Sequence, residues 1–180
     1  MMSLKDGLFR TRNWNKLLEK LRKNEIPPQE IGSAIVKLGK PFDQKKILAA
    51  KDVVAAYLNH ENDWVRHEAM WFLTSWGRLP EYQPALVHAL RHDPFVDNRS
   101  YAATCLGRLR KGSKDLEAIR ALKEVLEDDK EDKTVRKEAY GSLLEIAKNQ
   151  PEDFRTDEKQ LSDIDWNWVS SLAGGRTLGK

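Results

Sequence analysis

The chain has 180 residues, 40% hydrophobic and 33% charged, with a formal net charge of +3. That apolar content suits one packed domain or a short solenoid and excludes a disordered chain, and no apolar run approaches the roughly 20 residues needed to span a bilayer. Cys105 stands alone, which excludes an intramolecular disulfide, and the opening MMSLKDGLFRTRNW has no apolar stretch before a small-residue cleavage site, so a cytoplasmic location and no membrane contact are expected.

The charge is uneven. Residues 1–51 carry twelve Lys or Arg against five Asp or Glu, and residues 149–180 carry four against six. A basic end can steer an acidic partner or a phosphate backbone, although lysines spread along amphipathic helices ordinarily face water.

The first predicted helix spans about Asn13 to Lys23, with Trp14, Leu17, Leu18 and Leu21 at the spacing of one apolar stripe. Pro27-Pro28 is expected to end it. A second helix starts near Gln29, with Ile31, Ala34, Ile35 and Leu38 on one side and Gly39 as its stop. Asp43 is a plausible N-cap for a third, running through Leu48, Val54 and Leu58, and the polar turn Asn59 to Asn62 leads into DWVRHEAMWFLTSWG.

That stretch returns twice. Arg66, Ala69, Leu73 and Trp76 are matched by Arg99, Ala102, Leu106 and Leu109, and again by Arg136, Ala139, Leu143 and Ile146, with copies 33 and then 37 residues apart. Such a period is the length of two helices and two turns. Helices are therefore expected at about 82–91, 97–110, 115–127 and 134–148, with Asp93-Pro94, Lys111-Gly112-Ser113 and the charged run Asp128 to Lys133 as breaks. Cys105 falls at the position of Phe72 and Ser142, as a small packing residue. Residues 151–163 read as an acidic connector, and Ile164 to Leu172, with Trp166, Trp168 and Val169, as a segment able to cap the open end of the array.

These residues resemble short HEAT-like repeats. The resemblance rests on Glu61-Asn62-Asp63-Trp64-Val65-Arg66 with Ala69 and Leu73, on Asp93-Pro94 and Asn98-Arg99 with Ala102 and Leu106, and on Asp132-Lys133-Thr134-Val135-Arg136 with Ala139 and Leu143. It covers roughly residues 43–148, and Asn98 departs from the usual Val. It implies an all-α fold, a right-handed α-α superhelix of about four hairpins (about 13–39, 43–77, 82–110 and 114–148) followed by the capping segment. It also implies that second helices such as 64–77 line a concave side, and that Arg66, Arg99 and Arg136 form a structural ladder with the acidic turns of neighbouring units.

If Val65, Ala69, Phe72, Leu73 and Trp76 face the core, then His67, Trp71, Thr74 and Ser75 lie opposite, with Ser100, Thr104, Gly107 and Arg108, and Lys137, Gly141, Leu144 and Glu145, as their counterparts. The expected partner-binding face is Trp64, His67, Trp71, Tyr101, Thr104, Arg108 and Tyr140, since Trp and Arg are the usual anchors of interfaces. Two histidine pairs, His88 with His92 and His60 with His67, lack third and fourth ligands, so no metal is expected. No catalytic signature is present, and no cofactor is expected.

A non-catalytic scaffold binding a protein partner is the leading expectation, as a monomer or weak homodimer. Nucleic-acid binding, on the model of the HEAT-like alkylpurine DNA glycosylases, is the second. It would use the basic first hairpin, but residues 52–110 carry six basic and seven acidic side chains, a poor footprint for a phosphate backbone. A bilin lyase-like role rests on the resemblance alone.

Overall fold

The computed structural model describes residues 4–40, 42–148 and 160–172, with side chains from residue 13 onward. Every regular element among them is helical. The chain divides into two compact units, residues 1–78 and 79–180.

The first unit opens with α1 (Leu4–Arg22), followed by α2 (Ile31–Gly39), α3 (Gln44–Ala55) and α4 (Asp63–Trp71). Trp14, Leu18 and Leu21 bury the inner stripe of α1, and the Trp14 indole donates to the Leu38 carbonyl at 2.9 Å. The helix starts well before Asn13 and stops before the expected Pro27-Pro28 break. Asn24 adopts a left-handed φ of 55°, while Glu25 N–H bonds Lys20 O and Asn24 N–H bonds Leu21 O. This is a Schellman closure, with asparagine in the place usually taken by glycine. The prolines instead lead into a 3-10 turn, Pro28–Glu30, ahead of α2.

Asp43 caps α3, its carboxylate accepting from the backbone of Lys45 and Lys46. The helix ends at Ala55, short of Leu58, and Leu48 faces out. Asn62 caps α4 by accepting from Val65 N–H at 3.1 Å. The α4 ladder then widens into a π turn, Phe72–Trp76, closed by Gly77 N–H on Phe72 O at 2.9 Å. The widened turn lets side chains lag behind α-helical register. Thr74, expected on the open side, is accordingly buried and bonds Met70 O at 2.6 Å. Trp76, expected in the core, is half-exposed.

The second unit holds α5 (Gln83–His92), α6 (Val96–Leu109), α7 (Leu116–Glu127), α8 (Lys133–Lys148) and α9 (Trp166–Ser171). Within it α5 packs on α6 and α7 on α8, while α6 meets α8 and α5 meets α7, giving two layers of two helices. Leu86, Leu90, Leu106, Leu122, Leu126 and Leu143 are almost wholly enclosed between them, each contributing about 2 kcal/mol of apolar burial. Cys105 is fully buried, as its packing position requires. Gln83 ties three helix ends together: its amide donates to Asp115 and Glu117 at 3.1 and 2.9 Å, and its carbonyl oxygen accepts from Arg110.

Gly107, Gly141, Leu144, Glu145 and Ser100 were expected on the open side, but all are buried. The reason is that α6 and α8 pack against their hairpin partners and against each other, so only a narrow strip of each reaches solvent. A Cβ at Gly107 would lie 2.8 Å from both Glu145 Oε2 and Ser142 Oγ, so the missing side chain sets how closely these helices approach.

The segment after residue 160 closes one end of this unit. Asp165 caps α9 by accepting from Trp168 N–H, Ile164 and Val169 are buried, and the Trp168 ring meets Tyr140 edge-on at 5.8 Å. The connector 151–159 and the final Gly174-Gly175-Arg176 lie outside the described residues.

Candidate partner-binding surface

The exposed side of α4 is aromatic because of what lies beneath it. The two glycines of α2 sit directly under two tryptophans, one on α4 and one in the π turn after it: a Cβ at Gly32 would come within 2.7 Å of the Trp64 ring, and one at Gly39 within 1.9 Å of the Trp76 ring. Neither indole can sink further; Trp64 stays exposed, and Trp76 is partly buried among Phe42, Trp71 and Phe72. Trp64 remains 42% exposed. Gly39, expected as a helix stop, serves as the seat of Trp76.

From Trp76 the aromatic run continues in two directions. Trp71 meets it edge-on at 6.3 Å, and Phe42 meets it edge-on at 5.8 Å. Phe42 is 69% exposed and holds a left-handed φ of 50°, a strained conformation for a side chain of that size. Gln44 fixes the same corner by donating to Gly77 O at 3.0 Å. Each edge-on ring pair contributes about 1 kcal/mol beyond its buried area.

Trp64, His67, Glu68 and Trp71 fall on one stripe of α4, two turns long. Glu68 accepts from the Trp64 indole at 3.1 Å. Its carboxyl pKa is raised, chiefly by burial and in spite of the indole hydrogen bond.

The remaining residues of the expected face lie in the second unit. Tyr101 is half-buried on α6, Arg108 is exposed, and Thr104 donates to Glu138 at 2.8 Å across to α8. Tyr140 does not belong to the face. It is buried, and its hydroxyl accepts Asp165 N–H at 3.2 Å, so it is the seat of the C-terminal segment.

The three repeated arginines are turned toward loops. Arg66 donates to the carbonyls of His60 and Glu61 at 2.7 and 2.9 Å. Arg136 donates to Leu126 O at 2.9 Å and lies 3.4 Å from Asp129. Arg99 grips both oxygens of Glu131 at 2.8 and 3.0 Å, reaching the turn of the next hairpin, and also bonds Asp93 O. Its pKa is raised by the Glu131 hydrogen bonds, with burial opposing.

Two further features hold less chemistry. An open cleft of about 500 Å³ in the first unit is lined by Leu21, Arg22, Asp52, Tyr57 and His60 among others. The rings of His88 and His92 lie 5.0 Å apart, tilted by 58°, on the exposed side of α5, and no group of three or more His, Cys, Asp or Glu among the described residues could hold a metal ion. No helix among them is long and apolar enough to cross a membrane.

Sequence reasoning missed Phe42, Trp76 and Glu68 as surface residues. Glu68 was detectable, being four residues from Trp64 and three from Trp71. Phe42 and Trp76 were not, because their exposure follows from a left-handed turn and a π turn that no local pattern announced. Among known proteins, residues 83–156 match the family model for HEAT repeats. No curated protein matches the chain.

Proposed function

We propose that this chain, a HEAT-repeat protein, is a non-catalytic scaffold that binds a protein partner through the exposed side of its second helices, with α4 as the principal contact. The observation that carries the reading is the aromatic surface of the first unit, where Trp64 and Phe42 are 42% and 69% exposed and the partly buried Trp71 and Trp76 pack edge-on beside Phe42. Exposed rings of this kind are costly in water and suit burial by another protein. Tyr101, Thr104 and Arg108 on α6 are proposed as partner contacts of the second unit. The repeated arginines serve the fold, since their hydrogen bonds go to inter-helix turns and, for Arg136, to the last turn of α7.

A photo-crosslinking residue placed at Phe42 in cells of the source organism tests this. Discrete protein adducts that vanish when Trp71→Ala is added support the reading. Nuclease-sensitive adducts would replace it with nucleic-acid binding, and no adduct at all would sink it.

A further inference from the structure

Glu68 is the exceptional residue of the α4 stripe. Among the described residues it makes one hydrogen bond, to the Trp64 indole, and no ion pair. Its neighbours on the stripe are the rings of Trp64 and Trp71, one turn below and one turn above. Burial removes water from the carboxylate without supplying a counter-charge, which is why its pKa is raised.

A carboxylate so placed, held at the edge of the Trp64 indole and one helical turn from Trp71, favours one kind of visitor. A cation seated there gains a charge-assisted hydrogen bond from the carboxylate and cation–π attraction from the indoles, and it neutralises the group that burial penalises. A neutral apolar side chain would bury the carboxylate further with no return, and an acidic group would be repelled. Of the two protein cations, the guanidinium suits the site better, because it stacks flat on an indole while its N–H edge reaches a carboxylate.

We propose that the Trp64–Glu68–Trp71 stripe is a docking point for an arginine side chain presented by the partner protein. This rests on the partner-binding reading of the α4 face and adds the chemistry of the group that is recognised.

The test uses the full chain and two short capped peptides, Leu-Arg-Leu and Leu-citrulline-Leu, which differ in charge and hardly in shape. The reporter is the Trp64 indole N–H resonance, whose hydrogen bond to Glu68 makes it sensitive to anything that engages the carboxylate. The expected result is that the arginine peptide shifts this resonance and binds about 10-fold more tightly than the citrulline peptide. Glu68→Gln, which preserves size and the acceptor for Trp64, should reduce that preference to below about 3-fold and leave citrulline binding unchanged. Trp71→Ala should weaken both peptides. Equal binding of the two peptides, a preference that survives Glu68→Gln, or no binding of the arginine peptide would overturn the inference. If both peptides bind equally and Trp71→Ala abolishes both, the aromatic contact surface stands and only the arginine assignment falls.

Discussion

In residues 1–78, α2 and α4 approach through indole rings laid over glycine backbone, with Trp64 on Gly32 and Trp76 on Gly39. In residues 79–180, α6 and α8 approach through small residues, with Gly107 against Ser142 and Glu145 and with Thr104 donating to Glu138. Both solutions join neighbouring second helices, but they leave different surfaces. Small-residue packing consumes its side chains internally and can be repeated from one hairpin to the next. Ring-over-glycine packing leaves Trp64 exposed and Trp76 partly so, which trades regularity for a recognition surface. The family match falls in the regular part, at residues 83–156.

The sharpest way to break this comparison is to give each glycine a methyl group. At Gly39 the added carbon would lie 1.9 Å from a rigid indole, whereas at Gly107 it would meet Glu145 Oε2 and Ser142 Oγ at 2.8 Å and Ser142 Cβ at 2.9 Å. Overpacking of the first kind costs about 3 kcal/mol, against which alanine returns about 1 kcal/mol of helix propensity. Gly39→Ala is therefore expected to destabilise by about 2 kcal/mol in urea unfolding and to alter the near-UV signal of Trp76. Gly107→Ala should cost less, about 1 kcal/mol, because roughly 2 kcal/mol of strain against buried Ser142 is partly offset by the same propensity gain. Equal losses at both sites would erase the distinction between the two packings.

A smaller effect is expected where the second unit uses charge. The Arg99–Glu131 pair is bidentate and mostly sheltered, with side chains 17% and 12% exposed. A double-mutant cycle on Arg99→Ala and Glu131→Ala should give a coupling of about 1 to 2 kcal/mol. The same cycle on the exposed Arg91–Glu124 pair should give no more than about 0.5 kcal/mol.

The smallest effect is at Glu68, and its sign is fixed. Because the folded-state pKa is raised above the ordinary 4.5, the native chain holds its proton more tightly than the unfolded chain. Wild-type stability should therefore fall, relative to Glu68→Gln, as pH rises from 4.5 through the elevated value, and the difference should flatten above it. A difference that grows with rising pH in favour of wild type would mean that the carboxylate has a cationic neighbour in the native chain.

The hairpins were legible because two signals coincided, a 3.6-residue apolar period and an Arg-Ala-Leu spacing that returned after each pair of helices. The tryptophan stripe was legible in part, since Trp64, His67 and Trp71 share a helical face. What escaped detection depended on contacts between distant parts of the sequence. Tyr140 carries every local mark of an exposed residue and is buried only because a segment 25 residues later lies on it. Thr74 and Trp76 exchanged their expected environments because one widened turn altered the register, and a pattern that assumes an unbroken α-helix cannot show that.

The contact between Tyr140 and Trp168 also bears on how such an array could be lengthened. A helical stack is open-ended in principle, since the last pair presents the same kind of flank that received it. Here the flank of α8 is occupied by Ile164, Val169 and Trp168, with a hydrogen bond from Asp165 to the Tyr140 hydroxyl. That segment acts as a stopper. An engineer splicing further repeats after α8 would have to remove residues 160–172 and replace Tyr140 with an aliphatic side chain, and would otherwise obtain two arrays joined by a tether in place of one longer array.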